Sequence, residues 1–584
     1  MQQLRRIGLA AFGFVLLAAW AAAAAPTPTR QKALEVVPAD SVVVVHVRNL
    51  ERTRDRLVAM VKEALPDLAG KVKEGIDHAM KEGLEGRQLK GLAGHGLFVV
   101  LTELPKVGAD DQPSMAIITQ VSNYDEFVNG ALSEADRKTL KQEDGYSVAT
   151  VKDHEVYFLH RGDYAMVSPR KEVIALLKKG GSGLKLTGAT ASSFLDADAA
   201  LYVDMSAINR EYGDQIKNAR DQFFNLLDLA ASQGTGMSKT MMQTAKRIYG
   251  GMFKLVTDSK ALFITVSFDK DGLSLATRFD VRDDTPTGNT LEGTRAAVLR
   301  DMGKLPAGRL AYWEAAMDAK LFDVMRPMLS GLLGGAGGEK ELAHYIELTK
   351  AAGPQKMMGD ANQMGAGLVI GHFEDPAKAV QANLAMYEAM QPGSGFGAVT
   401  IKEAPVIKKD AETFRGFHLN SIAMELDLSA LESVPGGEAI LKAMPKNVHS
   451  WFGTDGKIYV QATAPNWPAA RKSLEEFLDQ KQTVGSEQAF QESLHHLPGD
   501  ATLVGLIDVP LYAKFAGTIM EPVLKMMGRN VDLSGITAQS GKAFAGMSFK
   551  VVPTQVGFHL WIPGSAVAQV RKMYEPVFKD LTGE

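Results

Sequence analysis

Residues 38–68, PADSVVVVHVRNLERTRDRLVAMVKEALPDL, carry the reading on which the fold turns. A Pro-Ala-Asp turn opens a β-branched run over residues 42–47, which reads as a strand buried on both faces. A polar step at Arg48-Asn49 follows, and then Leu50, Leu57, Val58, Val61 and Leu65 fall at helical spacing. The same order returns three times. FLDADAALYVDMSAINREYGDQI begins at residue 194, LPAGRLAYWEAAMDAKLFDVM at 305, and LPGDATLVGLIDVPLYAKFAGTIM at 497. Each copy reads as a small or acidic turn, an apolar strand and a long amphipathic helix.

Between these copies the local signals are consistent. Strands are expected at 96–101 and 115–121, and Asn123 with Glu126 makes a capping pair that starts a helix. Short strands at 146–151, 155–159 and 164–167 form a meander, with turns at Lys152-Asp153 and Gly162-Asp163. Ser168-Pro169 is expected to cap the helix that follows. Later strands fall at 367–373, 418–427 and 457–462, and Asp375-Pro376 caps a helix running to Met390. The segment 259–281, SKALFITVSFDKDGLSLATRFDV, has the design of 541–563, GKAFAGMSFKVVPTQVGFHLWIP.

These parallels predict an α+β chain of two duplicated halves. Each half is an antiparallel sheet with long amphipathic helices packed on one face, built from strand-helix-strand-strand-helix units plus a meander. The polar stretch 283–290, DDTPTGNT, divides them. The domain reading is a signal peptide at 1–24, a first half at 30–282, a linker and short helix at 283–302, and a second half at 303–584. The strand at 42–47 should match 310–313, and 200–203 should match 503–506. The excess length of the second half should fall in loops near 334–361 and 391–413.

A chain of 584 residues with 46% hydrophobic and 23% charged residues can bury more than one sizeable core. Its net charge of -4 is spread along the chain without a basic block, which argues against a nucleic-acid partner. Arg5-Arg6, an apolar run at 7–20 and alanines at 21–25 read as a cleaved signal peptide, with the mature N-terminus between Ala22 and Ala25. If this segment were retained it would be the one expected membrane attachment. Either way the body is expected to be extracytoplasmic, in the periplasm or secreted. The absence of cysteine excludes disulfides, thiolate metal sites, a cysteine nucleophile and a lipid-modified cysteine after the leader.

The leader, the turn Pro38-Ala39-Asp40 before residues 42–47, and its echoes at Leu305-Pro306-Ala307 and Leu497-Pro498-Gly499-Asp500 resemble a family of exported bacterial proteins carrying a domain of unknown function. The resemblance spans nearly all of the mature chain. The second copy departs from it, with Asp196 where the others have proline. It implies export and brings no activity, cofactor or catalytic residue.

Motifs for chemistry are sparse. The twelve histidines show no HExxH and no pair at helical ligand spacing. His154 and His160 flank one strand about 20 Å apart, too far to share a metal. Ser-Gly-Lys at 540–542 lacks the spacing, the Ser/Thr and the following helix of a phosphate loop, and the glycine loops at 334–338 and 393–397 lack its context. Arg161-Gly162-Asp163 sits where a hairpin wants Gly-Asp in its turn. His46, Asp204 and Glu314 fall at similar places late in three copied strands, so they are cleft candidates. The competing expectation is that each ends a strand and starts a helix. Among the 26 methionines, Met325 and Met328, with Phe515 and Met520 on the helix after residue 509, are candidates for an adaptable apolar groove. Core filling is the competing reading.

The reading is an exported, non-enzymatic binding or structural protein of the cell envelope, with no cofactor or metal. The alternative is a carrier holding a lipid or other apolar ligand between helices and sheet. A hydrolase without a recognisable motif comes third. The expected partner is an envelope protein or an apolar ligand.

Overall fold

In the computed structural model, residues 30–84, 90–93, 96–105, 113–232, 239–318, 320, 322, 339–362, 366–393, 395–396, 399–432, 441, 444–526 and 541–582 are described. The chain is α+β and divides into two units, residues 1–213 with 259–280 and residues 214–258 with 281–584. The signal-peptide segment, Met325, Met328 and the glycine run at 334–338 lie outside the described residues.

The first unit is organised on β1 (Val43–Val47), whose valines favour a pleated, half-buried surface. The further strands are β2 (Leu97–Leu101), β3 (Met115–Gln120), β4 (Lys141–Glu143), β5 (Tyr146–Val151), β6 (His154–Arg161), β7 (Tyr164–Ser168), β8 (Ala199–Asp204), β9 (Ser259–Asp269) and β10 (Gly272–Val281). Their order across the sheet is β10–β9–β8–β1–β2–β3–β7–β6–β5–β4, and the registered pairs are antiparallel. The β5–β6 turn places Lys152 and Asp153 at φ 49° and 66°, the left-handed pair that a tight hairpin needs.

Helices cover both faces of this sheet, not the single face expected from the sequence. The helices Arg30–Glu35, Lys171–Lys179 and Gly188–Asp196 close one core around Val44, Phe98, Ile118, Met166, Ile174 and Phe194. On the other face Leu50, at the start of helix Leu50–Ala64, packs on Val47, Leu97 and Val99. Helix Tyr124–Ala131 sets Phe127 and Val128 against Ala149 and Phe158. The physical reason lies in VVVHV and LFVVL, where successive side chains are apolar on both sides of the sheet, so each side needs cover.

The second unit contains β11 (Ala311–Ala316), β12 (Pro354–Ala361), β13 (Gly367–Phe373), β14 (Gly395–Phe396), β15 (Val399–Ile401), β16 (Val406–Phe414), β17 (Phe417–Asp427), β18 (Asn447–Thr454), β19 (Tyr459–Ala464), β20 (Leu503–Asp508), β21 (Phe544–Val552) and β22 (Gln555–Pro563). The order is β22–β21–β20–β11–β12–β13–β19–β18–β17–β16, with β14–β15 attached beside the end of β17. Strand for strand, this main ladder follows the order of the first unit. Val44 lies opposite Tyr202 and Val100, as Tyr312 lies opposite Leu506 and Asp360. The Asp204 N–H donates to Val42 O at 2.8 Å, and the Asp508 N–H to Leu310 O at 2.9 Å. His46 and Glu314 therefore hold one ladder position, and Asp204 and Asp508 another.

One face of the second sheet packs Tyr312, Leu419, Val460 and Leu506 against the helices Trp467–Asp479 and Gln488–His495. The opposite face packs Phe452 and Tyr459 against Ala379 and Tyr387 of helix Pro376–Ala389. Residues 339–361 are not the expected loop: Glu339–Ala351 is a helix and β12 is a central strand. Proline, lysine, glycine and aspartate within PQKMMGDA hide its alternation. Strands β14 to β16 likewise occupy much of 391–413.

Asn123 accepts the Glu126 N–H and Asp375 the Lys378 N–H, so both cap the helices expected of them, the Asn123 cap by its own side chain alone. Ser168 does not. Its hydroxyl donates to Met115 O at 2.7 Å and accepts the Arg170 N–H at 3.0 Å, so helix Lys171–Lys179 starts without a side-chain cap. Within 283–302, Thr285 caps a short helix, Pro286–Leu291, whose Leu291 is buried.

Candidate functional site

The strand-end residues resolve into two structural roles. His46 is 2% exposed and lies between the rings of Phe98, 4.7 Å away, and Phe194, 5.6 Å away. Its Nδ1 is 3.2 Å from Phe194 O, and burial lowers its pKa to about 4, so the neutral ring donates to that carbonyl near neutral pH. Glu314 is fully buried, and its Oε2 accepts the Met302 N–H at 3.0 Å. Lys356 Nζ stands 3.6 Å from Glu314 Oε1 and 3.2 Å from Asp301, while burial raises the glutamate pKa. Each of these residues ties the central strand of its unit to the segment covering it, and neither opens on a cleft.

Asp204 begins a helix instead. Its Oδ1 accepts the Ala207 N–H at 3.0 Å, and Asp508 does the same for Leu511 at 3.1 Å. In the fourth copy the apolar pair Leu506-Ile507 stands just before Asp508. The register shows that Asp508 is the match. His46 and Asp204 do not converge: Asp204 bonds Val42, four residues before His46, a separation of about 13 Å along the strand.

Several buried polar groups were not singled out from the sequence. Asp198 is fully buried, and its Oδ2 accepts the Phe268 N–H at 2.7 Å and faces Arg56 Nη1 at 3.2 Å. Thr502 plays the matching part in the second unit, accepting the Val551 N–H at 2.8 Å. Asp360 accepts the Leu368 N–H at 3.2 Å, with Arg309 Nε 3.7 Å from its other oxygen, and burial pushes its pKa up to about 6. Only the Asp-Ala-Asp spelling of the Phe194 copy hinted at Asp198. Among the described residues, no three His, Asp or Glu side chains are placed to hold a metal ion.

Of the apolar groove candidates, Phe515 and Met520 are among the described residues. Phe515 is half-buried and Met520 exposed on helix Val509–Met526, while Ala513 on the same helix is buried. The Tyr574 hydroxyl donates to Ala513 O at 2.8 Å, joining that helix to Gly564–Thr582. An open pocket of about 400 Å³ lies beside Tyr387, Met390, Pro405 and Ile407. The Glu388–Lys409 ion pair, 3.1 Å, belongs to its wall.

A second apolar surface stands on the helices Met205–Ser232 and Lys239–Asp258. The helix Met205–Ser232 leaves helical geometry at Tyr212, and its later part meets helix Lys239–Asp258. Phe223 and Tyr249 contact ring to ring at 4.8 Å, Phe224 and Phe253 at 6.2 Å, and Lys246 pairs with Asp228 at 2.6 Å. Leu226, Leu229, Tyr249 and Met252 are exposed there. Nothing local in the sequence says what covers the apolar stripe of such a helix. Among the described residues, no helix is long and apolar enough to cross a membrane.

No family model and no curated protein matches the chain. Crystal forms I and III of TP0453, from Treponema, are distantly similar in structure to 46% of this chain. The matches cover 88% and 89% of those chains at 9% and 10% identity, with TM-scores of 0.21 and 0.22. Likeness at that level carries no argument about activity.

Proposed function

We propose that this is an exported, non-enzymatic binding or structural protein of the bacterial cell envelope, its two units copies of one plan. The observation that carries the reading is where polar and apolar groups are spent. His46, Glu314, Asp204 and Asp508 tie strands and cap helices, whereas large apolar side chains face outward on the long helices. A surface of that kind suits recognition of another apolar surface. The shared ladder order and the matched register of His46 with Glu314 support the copying.

The test is expression of the whole chain in a Gram-negative host, followed by fractionation and intact-mass measurement. A mature chain starting between residues 22 and 25 in the extracytoplasmic fraction supports the reading. A full-length chain retained in the cytoplasm overturns it. The pocket beside Tyr387 and Met390 favours a second reading, a carrier of a small apolar ligand. Organic extraction of the purified protein and mass spectrometry would show a stoichiometric ligand if that reading holds.

A further inference from the structure

We propose that the part of helix Met205–Ser232 after Gly213, together with helix Lys239–Asp258, is an arm that docks the protein on a lipid surface carrying anionic headgroups. The proposal rests on the envelope placement argued above and names what the exposed apolar surface meets. Leu226, Leu229, Tyr249 and Met252 are 64%, 52%, 41% and 58% exposed. They are not scattered singles. The Phe223–Tyr249 contact and the Lys246–Asp228 pair set the two helices side by side in antiparallel register. Leu226 then stands one turn beyond Phe223, and Met252 one turn from Tyr249. The base of the arm is fixed, because Asp258 accepts both the N–H and the hydroxyl of Thr287, at 3.1 and 2.6 Å.

Charge and area together choose the occupant. Beyond Gly213 the sequence of the two helices carries Lys217, Arg220, Lys239, Lys246, Arg247 and Lys254 against Asp214, Asp221, Asp228 and Asp258, a net charge of +2 in a chain whose net charge is -4. A cationic amphipathic helix of low overall hydropathy, bearing Met, Tyr, Phe and Leu, matches an anionic interface and lies in its plane. The four exposed side chains offer a patch on the order of 400 Å². Two copies meeting through it would bury on the order of 800 Å², short of the roughly 1,000 Å² expected of a stable protein interface. A bilayer sets no such threshold, since it accepts any apolar side chain that reaches the headgroup boundary.

The experiment is flotation of the mature full chain with vesicles of phosphatidylcholine alone, or with roughly one-third phosphatidylglycerol. The expected result is co-flotation with the anionic vesicles, weakened by salt and at least about tenfold lower for the double variant Leu226→Ser with Met252→Ser. Lys254→Glu should lower it as well. Val298→Ser, at another exposed apolar residue, should leave it unchanged. Because these side chains are exposed, circular dichroism and thermal melting should match the parent. The proposal is overturned by no flotation, by equal binding to neutral vesicles, or by unchanged binding of the double variant. It is also overturned by a concentration-dependent dimer that the double variant abolishes, which would make the occupant a second copy. An exported chain that fails to float would leave the envelope reading standing and remove only the lipid surface.

Discussion

Asp360→Asn should change how stability depends on pH, in a direction the structure sets. Asp360 Oδ1 accepts the Leu368 N–H, and the other oxygen receives no hydrogen bond, with Arg309 Nε 3.7 Å off. Burial raises the carboxyl from its ordinary 3.8 to about 6. A carboxyl raised on folding holds its proton in the native state while the unfolded chain releases it. Stability is therefore lost as pH rises through that window and is flat above it. The interval is worth about 3 kcal/mol in full, and about 2–3 kcal/mol between pH 4 and 7. Asparagine keeps the acceptor for Leu368 and removes the titration. Urea unfolding of parent and variant across that range should show the variant gaining about 2–3 kcal/mol on the parent as pH rises. His46 runs the other way: its lowered pKa costs stability as pH falls from 6.5 to about 4. It is common to both proteins and cancels in the difference. A gap that stays constant with pH, or that widens toward acid, would mean that Arg309 holds Asp360 ionised and would refute the argument.

Two further outcomes follow from local geometry. Asp204→Ala and Asp508→Ala should each cost about 1 kcal/mol by calorimetry, with Asn in either place recovering most of it, because each carboxylate caps the helix after its strand. Gly453→Ala should cost roughly 3 kcal/mol or more, since a Cβ there would lie 1.8 Å from His418 O across the β17–β18 pair, while Gly499→Ala, with nothing within 4 Å, should be near neutral.

What could be read in advance followed how local the cause was. The run at 42–47 and the caps Asn123 and Asp375 announce themselves within a few residues, as do the strand and the two helices that they mark. Strand β12 did not, because its PQKMMGDA looks like a turn and becomes a strand only through β11 and β13 on either side. Asp198 was unreadable for the same reason, its partners Phe268 and Arg56 being 70 and 142 positions away. The match of Asp204 with Asp508 needed the ladder register, since slipping the comparison by a residue or two puts Leu506 in that place. The outward-facing arm could not be foreseen, because periodicity finds a stripe on a helix and is silent about whether a sheet, a membrane or water lies against it.

On the reading proposed above, the two sheets are scaffolds and the helices that pair Phe223 with Tyr249 are the working surface. Hydrogen–deuterium exchange of the protein, with and without anionic vesicles, tests this most directly. The expected result is new protection confined to the helices that carry Phe223 and Phe253, with β1, β11 and the strands beside them unchanged. Protection that appears instead around His46, Glu314 or the pocket beside Tyr387, with the arm unaffected, would contradict it.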